Sequence, residues 1–178
     1  KVSVFGDYPK DDSRTDCSYQ ENAFAYQPAG MVYNAKEKVF AVGERDGQIA
    51  LFYDMSDMAH PRLLRQHVVS HPQFVNNSTS TSSSVLFLRE NVNGFFGMAV
   101  TDKYCVGLFS GKQSPEKDTY IIGGDKLLLF DWKGNPLKMI ALSQEYSMIT
   151  ASERQLILLG TDPVTSDYVI NTIDICDL

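Results

Sequence analysis

Short apolar runs alternate along the chain with clusters of Gly, Asn, Asp, Ser and Pro, and no stretch sustains an apolar stripe of 3.6-residue period. The pattern predicts strands over residues 2–5, 30–33, 38–43, 48–53, 63–69, 85–88, 95–100, 104–109, 126–131, 137–142, 146–151, 155–160 and 168–174. Turn chemistry separates them at Asp46-Gly47, Asp102-Lys103, Gly123-Gly124-Asp125, Lys133-Gly134-Asn135-Pro136 and Asp162-Pro163. Many short strands at regular spacing make an all-β fold.

The strands recur as units. Gly30-Met31-Val32-Tyr33, residues 38–43, residues 48–54 and residues 63–68 form one; residues 97–100, 103–109, 126–131 and 137–142 form a second. A third offers residues 147–151, 155–160 and 168–174, and the sequence places Met31, Met98 and Met148 at equivalent positions. Four strands per repeat at this period is the pattern of β-propeller blades, each a four-stranded antiparallel sheet. Residues 39–42, 127–130 and 156–159 are apolar at every position, which a sheet with one wet face does not need but a sheet covered on both faces does. Polar Arg65-Gln66-His67 suits an outer strand facing water. The expectation is a single segment of about three blades, near residues 29–70, 85–142 and 146–175, with residues 1–8 supplying a strand of a preceding or closing blade. Three blades are fewer than a normal ring, so their open faces are expected to pair, in a homodimer or with further blades.

Composition narrows the function classes. With 16 Lys and Arg against 22 Asp and Glu, the net charge is −6, so nucleic acid is not an expected partner. No run of apolar residues is long enough for a transmembrane segment. A start at Lys1, without initiator Met or signal peptide, is expected of a mature or truncated product. Cys17, Cys105 and Cys176 lie far apart and make no metal or disulfide framework, with Cys105 expected in the core.

Four stretches carry a resemblance: Phe5-Gly6-Asp7-Tyr8-Pro9, Pro28-Ala29-Gly30-Met31, Leu129-Phe130-Asp131-Trp132-Lys133-Gly134-Asn135-Pro136 and Ile170-Asn171-Thr172-Ile173-Asp174. With them the chain resembles the C-terminal half of the TolB-like six-bladed β-propellers, mostly exported or lipid-anchored proteins of Gram-negative gut anaerobes. The resemblance implies a six-bladed ring, an extracytoplasmic address at the periplasm or cell surface, and a role in binding. It brings no catalytic residues with it.

Candidate chemistry is sparse. His60, His67 and His71 are the only histidines, but Pro61 and Pro72 break any helix that could set two of them on one face as metal ligands, so no metal site is expected there. Residues 76–84 (Asn-Asn-Ser-Thr-Ser-Thr-Ser-Ser-Ser) read as a mobile linker, with no G-x-S-x-G motif to make a serine nucleophile. Asp54, Asp131 and Asp174 recur at strand ends, a repetition that suits turn capping better than catalysis. A ligand face is expected where the loops entering first strands meet those joining second to third strands: Tyr26, Gln27, Arg45, Asp46, Arg89, Glu90 and Asn93. The sequence therefore reads as a non-catalytic module for a protein, peptide or carbohydrate ligand, with no catalytic residue and no cofactor assigned. A metal-dependent propeller hydrolase or lactonase and a structural scaffold of an envelope complex are the alternatives.

Overall fold

The computed structural model describes residues 6–14, 17–79, 81–113 and 121–178. The strand expected over residues 2–5 lies outside them. The architecture is all-β: a partial propeller of stacked antiparallel sheets. A four-stranded sheet is formed by β1 (Pro28–Asn34), β2 (Val39–Glu44), β3 (Ile49–Asp54) and β4 (Arg62–Val68), each hydrogen-bonded to the next. A two-stranded ribbon follows, β5 (Phe74–Asn76) with β6 (Val85–Phe87). Then β7 (Phe95–Val100), β8 (Cys105–Phe109), β9 (Gly124–Phe130), β10 (Pro136–Ala151), β11 (Gln155–Thr161) and β12 (Tyr168–Asp174) form a six-stranded sheet in sequence order.

Strand β10 explains how two sequence units share one sheet. Residues from Pro136 to Ala141 pair with β9, and those from Met148 to Ala151 pair with β11. The expected strands over 137–142 and 146–151 are thus two halves of one strand, its pairing irregular between Ala141 and Tyr146.

Period-two alternation assigns each side chain to a layer. On β8, Cys105 faces the first sheet, in a core with Val39, Ala41, Ala50, Phe52, Phe130 and Trp132. Its neighbours Val106 and Leu108 face the other way, against Leu127, Leu129, Leu156 and Leu158. Both faces of β8 are therefore covered, which is why residues 105–108 are all buried. Strand β3 is likewise buried at every position but Asp54, with Phe52 in the first core and Leu51 and Tyr53 in a third beside Ala25, Tyr26 and Phe74. Outer strands β4 and β12 are mostly exposed. At β11 Leu156 and Leu158 are buried while Ile157 and Leu159 are only half-buried, because that second face is the outside of the stack.

The first strands of successive units lie side by side, β1 against β7 and β7 against β10. The approach is close: a Cβ at residue 30 would sit 2.5 Å from the Met98 nitrogen, and one at residue 97 would sit 3.1 Å from the Ile149 methyl. Each of these strands carries a bulge, after Pro28, after Phe95 and after Tyr146. Aligned on the bulges, Met148 corresponds to Gly30 and Gly97, and Ile149 to Met31 and Met98. The expected equivalence of Met148 with the other two methionines is off by one residue: Ile149 faces Gly97 as Met98 faces Gly30.

Helix α1 (Tyr19–Ala25) and strand β5 escape the sequence pattern, whereas β6 is the strand expected over residues 85–88. The helix is held by a capping box: the Glu21 N–H donates to Ser18 Oγ at 3.2 Å and the Ser18 N–H to Glu21 Oε2 at 2.6 Å. Of the stretch expected as a linker, residues 77–79 and 81–84 lie between β5 and β6, where the Asn77 N–H donates to the Ser84 carbonyl at 3.0 Å. Helix and ribbon both pack on the first sheet's outer face.

Candidate functional site: a charged rim at one end of the sheets

One end of the stack gathers the loops that enter β1, β7 and the second half of β10 with the loops that join β2 to β3 and β11 to β12, and with residues 110–113 and 121–123 between β8 and β9. Backbone hydrogen bonds stitch the loops of the first two units together. The Arg45 N–H donates to the Gln27 carbonyl at 3.1 Å, Gly94 to Arg45 at 2.6 Å, Ser110 to Gly94 at 2.9 Å, and Asn93 to Lys112 at 2.9 Å. The Asp46-Gly47 turn lies between Arg45 and β3, and the loop 93–95 is held against it.

Charge is concentrated on this rim. Lys112 Nζ bridges Asp125 Oδ2 at 2.9 Å and Glu145 Oε1 at 2.8 Å, and Lys126 Nζ pairs with Asp125 Oδ1 at 2.6 Å. The carboxylate partners Glu145 and Asp125 hold the Lys112 ammonium above the usual lysine value. Partial burial pushes Asp125 upward, but the hydrogen bonds from Lys126 and Lys112 outweigh it and leave the group below the usual carboxylate range. The exposed Arg45 guanidinium lies 5.8 Å from the centre of the Phe96 ring. Burial raises Asp46 to about 6. Beneath it Glu44 is raised to about 7, by burial first and by the charge of Asp46 second. Ser110 Oγ is buried without a hydrogen-bond partner.

The expected ligand-face residues divide. Arg45, Asp46, Asn93 and the exposed Gln27 meet on this rim. Exposed Arg89 and Glu90 lie on the turn after β6, tied to the rim where Gln113 Nε2 donates to the Glu90 carbonyl at 3.1 Å. Tyr26 is not displayed: it is 6% exposed, its hydroxyl is 3.0 Å from His71 Nδ1, and burial carries it to about 12. Lys112, Asp125, Lys126 and Glu145 join the rim without having been expected there from the sequence. Lys112 occupies in the second unit the loop that Arg45 and Asp46 occupy in the first, so the same loop rule applied to every unit finds it.

Other candidates fall elsewhere and apart. His60 pairs with Asp57 at 3.0 Å, His67 Nε2 donates to the Gly134 carbonyl at 2.7 Å, and His71 meets Tyr26. At the opposite end of the sheets, Asp54, Asp131 and Asp174 each accept a hydrogen bond from the backbone N–H two residues on, at 2.8–2.9 Å. That is a turn-capping geometry repeated in three places. Among the described residues, no group of three His, Cys, Asp or Glu side chains is placed to hold a metal ion. Cys105 is fully buried, and burial pushes its thiol far above the ordinary range.

A family model described as TolB-like 6-blade propeller-like matches residues 7–154, from the segment before α1 to just beyond β10. The chain belongs to this family. Solved structures similar to this TolB-like segment include the Neurospora crassa Pan2 WD40 domain, at 12% identity and a TM-score of 0.31 over 85% of this chain and 51% of that one. Kuenenia stuttgartiensis hydrazine synthase is similar at 13% identity and a TM-score of 0.42, over 92% of this chain and 50% of that one. The TolB-like chain thus spans about half the length of either structure. No curated protein matches it. Among the described residues no helix is long and apolar enough to cross a membrane.

Proposed function

We propose that the chain is part of a non-catalytic interaction propeller of an exported bacterial protein, engaging a polar protein, peptide or carbohydrate partner through the charged rim. In this reading the whole protein is a six-bladed ring that works outside the cytoplasm, at the periplasm or cell surface. The observation that supports it is the stitched rim itself. Rigid strands deliver arginine, lysine, carboxylate and amide groups to one edge, and loops held on a rigid scaffold are where propellers carry recognition.

Charge reversal tests the rim. The wild type, the rim variant R45E/R89E and a control variant at the opposite end, K103E/K133E, are each used to capture partners from an envelope extract by cross-linking. The same partner is expected with wild type and control, and at least tenfold less of it with the rim variant. Equal capture by the rim variant, or loss with the control alone, contradicts the assignment. A stoichiometric divalent ion retained by the purified protein would contradict the non-catalytic reading.

A further inference from the structure

Each junction inside the stack is made in the same way. Gly30 of the first unit faces Met98 of the second, and Gly97 of the second faces Ile149 of the third. Aligned on the bulges, one position (Gly30, Gly97, Met148) faces the following unit, and the next residue (Met31, Met98, Ile149) faces the preceding one. Met98 is buried in its junction. Among the described residues Met148 has no following unit and is 62% exposed, and Met31 has no preceding unit and is 61% exposed.

The second strands of the units show the same deficit from opposite sides. In the middle unit, residues 105–108 of β8 are buried on both faces. On β2, Phe40 and Val42 are only half-buried, on the face that Met31 shares through its pairing with Val42. On β11, Ile157 and Leu159 are half-buried, on the face that Met148 shares through its pairing with Leu159. Helix α1 and the ribbon pack over β3 and leave Met31 and Tyr33 of β1 exposed. The third unit's open face is uncharged across Met148, Thr150, Ile157, Leu159, Ile170 and Thr172, so apolar burial is what covering it would gain. The chain therefore carries the two halves of one further junction, a following half on the third unit and a preceding half on the first.

Three units of a six-bladed family make half a ring, which keeps these two halves apart within one chain. The occupant of each open face needs the complementary face on the same kind of unit, and a second copy has it. We infer that two copies of this chain close one six-bladed ring, the third unit of each packing on the first unit of the other, with Met148 of one copy against Met31 of the second copy. This rests on the six-bladed reading above and adds the source of the other three blades. Pairing two third units face to face leaves both first sheets open. A single end-to-end contact leaves two free ends and grows into a filament, whereas the curvature of a six-bladed ring closes the contact at two copies.

The test is sedimentation velocity of the 178-residue chain at micromolar concentration, with Met31→Lys, Met148→Glu and the double variant. The wild type is expected to sediment as a dimer. Each single variant places an unpaired charge in both junctions and is expected to weaken the dimer roughly tenfold or more. The double variant sets the new ammonium against the new carboxylate across each junction and is expected to restore the dimer. Both positions are exposed in the single chain, so the variants are expected to fold, which circular dichroism checks. The wild-type mass decides between one copy and two without any variant. An open series of larger species, an unchanged dimer in either single variant, or a double variant as weak as the singles would each overturn the assignment. A monomeric wild type would overturn it too, while leaving a six-bladed ring completed by other blades. A rim that fails the capture experiment would leave the dimer intact.

Discussion

Glu44 shows how burial at one position shapes both stability and chemistry. Folded Glu44 holds its proton up to about pH 7 against an ordinary value of 4.5, because burial disfavours the charge and Asp46 repels it. Between those values the folded state binds more protons than the unfolded one, so stability falls as pH rises through that window. The carboxylates held low act oppositely: Asp54, lowered to about 2 by hydrogen bonds from Ser56 and Arg62, contributes stability that is lost on acidification toward that value. The variant E44Q removes the first effect and keeps the second. Thermal melts at pH 8 should show E44Q more stable than wild type by about 1–3 kcal/mol, with the difference shrinking toward pH 5. A variant that is less stable at pH 8 would mean that the carboxylate is paired. None of this was legible in the sequence, where a glutamate at a strand end reads as a solvated rim residue. Its surroundings include Tyr8 and Tyr26, from segments distant in sequence.

At the scale of elements, the strands were legible because their apolar positions repeat and their turns carry Gly, Asp, Asn and Pro. Register was not. The bulges in β1, β7 and β10 fall after Pro28, Phe95 and Tyr146, so Gly30, Gly97 and Met148 correspond, and matching the methionines to one another misses this register. Helix α1 had a signal, the Ser18-x-x-Glu21 box, but its seven residues are too few to show a helical stripe. The close approach of β1 to β7 makes Gly30 a sharp test of the register. A Cβ there meets backbone nitrogen rather than a flexible side-chain end, so one strand must shift. Gly30→Ala is expected to lose about 1–3 kcal/mol in chemical denaturation. Met31→Ala, at an adjacent but outward position 61% exposed, should lose well under that. Equal losses would contradict the alignment on the bulges.

For the whole molecule, the unbroken apolar runs have one physical cause: each interior strand is covered on both faces by its neighbours in the stack. Residues 39–42, 127–130 and 156–159 pointed to it by their lack of apolar–polar alternation, yet Phe40, Val42 and Leu128 are only half-buried, and full coverage is found at β3 and β8. It weakens at β11, which has a sheet on one side only. The charged rim was partly legible, since the loop rule collects Arg45, Asp46 and Asn93. The Lys112–Asp125–Glu145 bridge needs the three-dimensional meeting of two units. The most direct measurement of the stacking is a methyl NOESY spectrum of β8 and its neighbours. The stack predicts contacts from Val106 and Leu108 to the Leu156 and Leu158 methyls, and from the Met98 methyl to the Ala41 and Phe52 side of the first sheet. If Val106 and Leu108 instead showed solvent exposure, or shared the neighbours of Met98, strand β8 would have one wet face and the propeller arrangement would be wrong.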